Sequence, residues 1–249
     1  MMTIEEIIVE KPHLRETLRL YEKVMEFSSA AARLMNGTAC GETTYPPELT
    51  GPVFEVFSSI FEMPEESLAP VKEAMKGGRI DLTRLPLNEL PSFSLPYHED
   101  ELGMILFLVS RPLFFHRKEC LRGANESWEG GKCPTCHGKP SLASLEEDGK
   151  RRLHCSYCGG SGHFRRLGCP LCLSGSTSTL TLFAEGEPGY RIDVCDACGS
   201  YVKTATRALS DDPADADLAD LISLPLDLIA QGRGYRRHSP NPLGMMRMS

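Results

Sequence analysis

The chain has 249 residues, 27 Lys and Arg against 34 Asp and Glu, a net charge of −7, 41% hydrophobic residues, ten cysteines and one tryptophan. That length is enough to bury a core in one large domain or two small ones. The acidic balance argues against a general binder of nucleic acid or anionic membrane, which carries a basic excess. No run approaches the ~18–20 apolar residues of a membrane span, and the longest, residues 104–109 between Glu101 and Arg111, reads as buried helix. The segment Met1–Glu6 lacks the basic and apolar regions of a secretory signal. The expectation is a cytoplasmic protein, in which ten cysteines argue against structural disulfides.

Residues 1–130 read as a helical domain. Leu14, Leu18, Tyr21, Met25, Ala32 and Met35 follow helical spacing, widened by Val24, Phe27 and Leu34, and Gly37 supplies a stop. Pro52–Met63 and Pro64–Lys76 read as two shorter helices, the second stopped by Gly77 and Gly78. Pro86–Pro96, with three prolines, reads as an extended connector. Asp100–Leu121 reads as a long helix kinked at Pro112. No paired carboxylates and no nucleophile–base arrangement stand out here.

Eight of the ten cysteines then fall into four Cys-x-x-Cys pairs: Cys133/Cys136, Cys155/Cys158, Cys169/Cys172 and Cys195/Cys198. Two intervening residues let a tight turn point both sulfurs at one ion, which is half of a tetrahedron. The intervals between pairs are 18, 10 and 22 residues. A ribbon needs ~15–20 residues to leave one knuckle and return to the next. In the first interval Ser141–Leu145 and Lys150–His154 read as strands around a turn at Glu146–Gly149; in the last, Ser178–Ala184 and Tyr190–Val194 flank Glu185–Gly189. The middle interval, Gly159–Gly168, is glycine-rich and reads as a linker. The first knuckle therefore pairs with the second and the third with the fourth, as two tandem four-cysteine ribbons over residues 131–167 and 168–204, each for one metal. Tetrahedral sites of four sulfurs suit zinc and iron alike. A catalytic dithiol, by contrast, comes singly near a helix start in a βαβ pattern that this region lacks.

His137 and His154 adjoin knuckles and can each replace a thiol; with eight cysteines present they read as hydrogen-bonding near the sulfurs or facing solvent. Gly159 and Gly199 follow a second knuckle cysteine, where positive φ eases the turn; His137 and Leu173 hold the same place in the other pairs. Cys40 and Cys120 stand alone and read as spectators. Residues 205–249 read as a helix, with Leu218, Leu221, Ile222, Leu224 and Leu228 interrupted by Pro225, then a polar tail from Gly232. Asp211-Asp212-Pro213 marks the helix start, and the helix is expected to pack on the metal region or the first domain. Net charge is −8 over residues 1–130, +2 over 131–204 and −1 over 205–249. Counting thiolates and a divalent ion at each site takes the middle segment to about −2.

From Cys133 onward the chain resembles the formate dehydrogenase accessory protein (FdhE) family. The features that carry the resemblance run in order along the chain. First come Cys133-Pro134-Thr135-Cys136 with Pro140, and Arg151-Arg152-Leu153-His154-Cys155 leading to Cys158. His163-Phe164-Arg165-Arg166 before Cys169 follows, then Cys195-Asp196-Ala197-Cys198-Gly199-Ser200-Tyr201-Val202-Lys203. Asp217-Leu218-Ala219-Asp220, Gly234-Tyr235 and Asn241-Pro242 complete the series. One departure is Gly162, where many members carry an aromatic residue. The resemblance implies an α+β architecture: a helical N-terminal domain, two rubredoxin-like or zinc-ribbon metal modules, and a C-terminal helix. It also implies a non-catalytic cytoplasmic factor that binds the catalytic subunit of formate dehydrogenase during maturation, with iron at the knuckles. Two other readings compete. One is a nucleic-acid-binding zinc-ribbon protein using a stripe of Arg151, Arg152, Arg165 and Arg166, against which the charge speaks; the other is a dithiol oxidoreductase using the knuckles without metal.

Overall fold

A computed structural model describes residues 3–121 and 127–248; Met1, Met2 and Ser249, which end two of the stretches read above, and residues 122–126 lie outside the described residues. Five helices open the chain: α1 (Ile4–Glu10), α2 (Arg15–Leu34), α3 (Pro47–Phe61), α4 (Glu65–Lys76) and α5 (Glu99–Cys120). A reciprocal capping box between Thr3 and Glu6 starts α1. The expected start of α3 at Pro52 moves back to Pro47, which takes the first helical turn with Glu48 beside it, and the helix continues through Pro52. The buried face of α2 is Leu18, Tyr21, Val24, Phe27 and Ala31, extended by Leu14 and Met35 at its two caps, whereas Met25 and Ala32 are exposed. Met25 and Ala32 continue the straight line from Leu14 and Leu18, but the buried positions step by three through Tyr21, Val24 and Phe27, so the buried face turns away from that line. Phe27, Phe57 and Phe61 knit α2 to α3, with Phe27 and Phe57 edge-on at 5.1 Å. The Pro86–Pro96 connector begins inside a 3-10 turn, Leu82–Leu87, that Asp81 caps.

Cys40 and Cys120, read as spectators, are bonded to each other across 80 residues. The bond ties the α2–α3 connection to the last residue of α5. Two cysteines so far apart in sequence carry no local signal of their pairing.

Six strands form one sheet in the order β3-β2-β1-β6-β5-β4. They are β1 (Leu142–Leu145), β2 (Arg151–His154), β3 (Ser161–Phe164), β4 (Thr179–Leu182), β5 (Tyr190–Cys195) and β6 (Ser200–Ala205). The two expected hairpins are present as β1–β2 and β4–β5. Their ribbons join edge to edge through a parallel β1–β6 pair, with Leu142 opposite Lys203. The glycine-rich interval read as a linker contains β3, antiparallel to β2 with Gly162 opposite Leu153. Glycine weakens a strand. Here the knuckle sets the alignment, because Cys155 N donates to Gly160 O and Trp128 N to His163 O on the other edge.

Two helices follow, α6 (Pro213–Ile222), capped by Asp212, and α7 (Leu224–Gly232), separated at Ser223 next to Pro225. Leu218 and Leu221 enter the main core with the N-terminal helices, while Leu226 and Ala230 cover Ile192, Val194 and Tyr201 of the sheet. The C-terminal unit thus packs on both expected partners. The stretch read as a polar tail is largely internal: Ser239, Asn241 and Leu243 are buried, and Gly244, at φ +88°, lies against Met104 and Phe107 of α5. Arg237 within it anchors a buried ionic network with Lys203, Asp220 and Asp227. Among the described residues no helix is long and apolar enough to cross a membrane.

Candidate metal centres

All four knuckles share one backbone pattern. The residue after the second cysteine has positive φ in each: His137 61°, Gly159 62°, Leu173 65° and Gly199 63°. Its N–H donates to the carbonyl of the first cysteine in each, at 2.9, 3.0, 3.0 and 2.8 Å. The first cysteine's own N–H donates back to the carbonyl five residues on in the first three, at 2.8 to 3.1 Å. These turns aim both sulfurs and neighbouring amides inward: Gly160 N lies 3.4 Å from Cys158 Sγ, and Leu171 N lies 3.3 Å from Cys169 Sγ.

The knuckles meet as expected, the first with the second and the third with the fourth, in two groups of four sulfurs all within 4.8 Å of one another. In the first group Cys133–Cys158 and Cys136–Cys155 approach to 3.4 Å; in the second, Cys169–Cys198 and Cys172–Cys195 lie at 3.8 Å. A tetrahedral ion with sulfur at about 2.3 Å requires sulfurs about 3.8 Å apart. The donor set and spacing therefore fit one tetrahedral, four-sulfur ion at each group. The titration of the thiols fits as well. Hydrogen bonds from Cys136, Cys155 and Cys158 push the Cys133 thiol down, while hydrogen bonding to Cys133, and then burial, push Cys136 and Cys155 up.

The two groups differ in burial. All four cysteines of the first are buried, and they belong to the main hydrophobic core. Tyr157, between Cys155 and Cys158, packs edge-on against Phe107 at 5.0 Å and Phe114 at 5.7 Å, and its hydroxyl donates to Leu85 O at 3.1 Å. Lys118 Nζ donates to Gly159 O at 2.8 Å. A Cβ on Gly159 would meet Pro213 at 2.7 Å and Phe115 at 2.8 Å, whereas one on Gly199 would meet open space. Both positions carry the left-handed penalty of ~1–2 kcal/mol, but only Gly159→Ala adds a clash. Urea unfolding is expected to show Gly159→Ala losing clearly more stability than Gly199→Ala; equal losses would contradict this packing.

In the second group Cys172 is exposed and Cys198 partly so. The Ser174 hydroxyl lies 3.2 Å from Cys172 Sγ and 3.3 Å from Cys195 Sγ. Hydrogen bonding by Ser174 pulls the Cys172 thiol down to about 6, while burial pushes Cys169 up to about 12. Lys139 Nζ donates to Leu171 O at 3.0 Å, and Arg165 donates to Leu173 O and Ser174 O, so two cations hold the third knuckle. The sequence reading names Arg165 only for another role and misses Lys139 and Ser174, of which Ser174, two residues past a cysteine, has a local signal.

His154 stands apart from the sulfurs: its Nε2 lies 2.8 Å from Ser144 Oγ, and burial pushes it down to about 4. His137 is exposed. Three of the four stripe arginines are engaged within the chain, and exposed Arg166 is the fourth. Arg151 is buried with Asp193 at 3.4 Å, Arg152 reaches Asp211 at 2.9 Å, and Arg165 holds the knuckle, which weakens the nucleic-acid reading.

Comparison with known proteins gives one consistent result. Residues 168–244 match the family described as FdhE, C-terminal domain. The "Protein FdhE homolog" of Aquifex aeolicus (strain VF5) is 30% identical over 151 residues, 59% of this chain and 53% of that one. That of Stutzerimonas stutzeri (strain A1501) is 37% identical over 118 residues, 45% of this chain and 37% of that one. The chain thus spans about half or less of the length of these curated relatives. The crystal structure of the FdhE protein from Pseudomonas aeruginosa shares the fold, with a TM-score of 0.66 over 96% of this chain and 92% of that one at 21% identity. The matched segment encloses the second sulfur group and the helices that cover it, so it is over residues 168–244 that the chain is similar to the FdhE C-terminal domain.

Proposed function

We propose that the protein is a non-catalytic, cytoplasmic accessory factor for formate dehydrogenase that binds the catalytic subunit during its maturation. In this reading Cys133, Cys136, Cys155 and Cys158 hold one iron or zinc ion and Cys169, Cys172, Cys195 and Cys198 a second. The observation that carries it is the FdhE C-terminal domain match over residues 168–244, with a complete four-sulfur group inside it. The ions would supply cross-links in place of core, since small ribbons bury too little apolar surface to stand alone. Deleting the gene in its host is expected to abolish formate dehydrogenase activity, and the catalytic subunit is expected to co-purify with the tagged protein. Normal activity in the deletion strain overturns the reading. Metal analysis with a visible spectrum identifies the ions: a red protein holds iron, a colourless one with two zinc equivalents does not.

The burial difference gives an independent test. A chelator such as 4-(2-pyridylazo)resorcinol is expected to remove one equivalent quickly, by way of exposed Cys172, and the other only as the fold opens. A single release phase for both equivalents would contradict this assignment. The nucleic-acid reading predicts salt-dependent binding to mixed-sequence DNA, which the pairing of Arg151, Arg152 and Arg165 within the chain disfavours.

A further inference from the structure

A third cluster of soft donors lies outside both ribbons. His116 and Cys120 are four residues apart in the last turns of α5, so they share one helix face, and His116 Nε2 lies 3.8 Å from Cys120 Sγ. Cys40, from the irregular connection between α2 and α3, completes the group. All three donor atoms lie within 4.8 Å of one another. Both cysteines are exposed and His116 is half-buried. The two sulfurs are bonded, with Cα atoms 6.0 Å apart, and His116 Nε2 lies 3.1 Å from Thr38 O.

We propose that Cys40, His116 and Cys120 form a thiol-gated site for a soft divalent ion of the zinc class. In the disulfide state the sulfurs have no charge to offer and the site is closed. An exposed disulfide is open to attack by a dithiol reductant. One thiolate of the reductant attacks one sulfur and expels the other as a thiolate. The reductant's second thiol then closes its own disulfide and releases the second cysteine. Two electrons pass to the Cys40–Cys120 pair, and the reductant's two thiols are oxidised. The ion displaces the protons of both thiols and takes His116 Nε2 as its third ligand, so the Thr38 contact is given up. The sulfurs must part from bonding distance to about 3.8 Å. Rotation of Cys40 supplies this, because its connection has no helix or sheet ladder to hold it. Two thiolates and one divalent ion leave the site neutral, with a fourth position facing solvent.

The test uses the full chain loaded with zinc and counts equivalents before and after oxidation by diamide, with Cys40→Ser, Cys120→Ser and His116→Gln alongside. Protein reduced with a phosphine and desalted is expected to hold one equivalent more than the oxidised protein, which is lighter by two hydrogens. Each cysteine variant is expected to lack that equivalent in both states, and His116→Gln to bind it more weakly. Cobalt substitution is expected to add a band for a sulfur–nitrogen site that the oxidised protein lacks. Equal counts in the two states overturn the proposal, as does retention of the extra equivalent by Cys40→Ser or undiminished binding by His116→Gln. Any ribbon metal lost when diamide oxidises exposed Cys172 appears equally in Cys40→Ser, so the difference that wild type shows beyond Cys40→Ser reports this site alone. Failure of the ribbon cysteines to hold metal would appear as a lower count in both states.

Discussion

Cys133→Ser is expected to cost the protein its native fold, while Cys172→Ser leaves a folded chain that has lost or weakened one metal. Cys133 is fully buried and its group is part of the main core, beneath Tyr157, Phe107 and Phe114. Structural zinc contributes ~10–16 kcal/mol in isolated fingers, as much as the ~5–15 kcal/mol that holds a whole domain folded. Losing that ion also leaves three thiols in a space shaped for a charged tetrahedron. Cys172, in contrast, faces solvent at the end of a knuckle held by Lys139 and Arg165, and water can replace its sulfur. Circular dichroism, urea unfolding and metal content on both variants decide the matter. Equal loss of structure would mean that the two ions share the structural load.

Lys203→Met is the second large effect. Lys203 is fully buried on β6, with Nζ 2.8 Å from Asp220 Oδ1, against the Asp227 carboxylate, and 2.6 Å from Asp220 O. Arg237 binds both carboxylates from the C-terminal segment. Two cations and two carboxylates balance. Removing one cation strands a carboxylate in the interior, which costs ~3–5 kcal/mol. The exposed Lys23–Glu62 pair, equally close at 2.6 Å, is expected to cost under about 1 kcal/mol when broken. Pairing Lys203→Met with Asp227→Asn should restore part of the loss, because the charge balance returns.

The same network sets an acid limit. Burial pushes the Asp227 carboxyl up, but Lys203 and Arg237 outweigh it and hold it below the ordinary range. A depressed carboxyl contributes its stability above the unfolded value of about 3.9 and loses it as pH falls through the folded value. Wild type should therefore lose this contribution only in strong acid, and Lys203→Met should unfold at higher pH. An unchanged acid midpoint would show that Lys203 does not hold Asp227 ionised.

The four Cys-x-x-Cys pairs, their partners and the hairpins between them were legible in the sequence because a knuckle is a local object. Two residues between sulfurs, a positive φ after the second, and an interval long enough for a hairpin are all written within a few residues. The helices of residues 1–130 were legible for the same reason, through periodicity, prolines and caps. Their buried faces were legible only in part, since Met25 and Ala32 fit the period but are exposed. What only the tertiary structure decided is long-range. The parallel β1–β6 pair joining the ribbons, β3 within a glycine-rich interval, the Cys40–Cys120 bond and the internal C-terminal segment all depend on chain regions that approach only after folding. So does the difference in burial between the two sulfur groups. One group is covered by Phe107 and Phe114 from a helix well upstream of Cys155, and burial of that kind is a property of packing that no spacing of cysteines encodes.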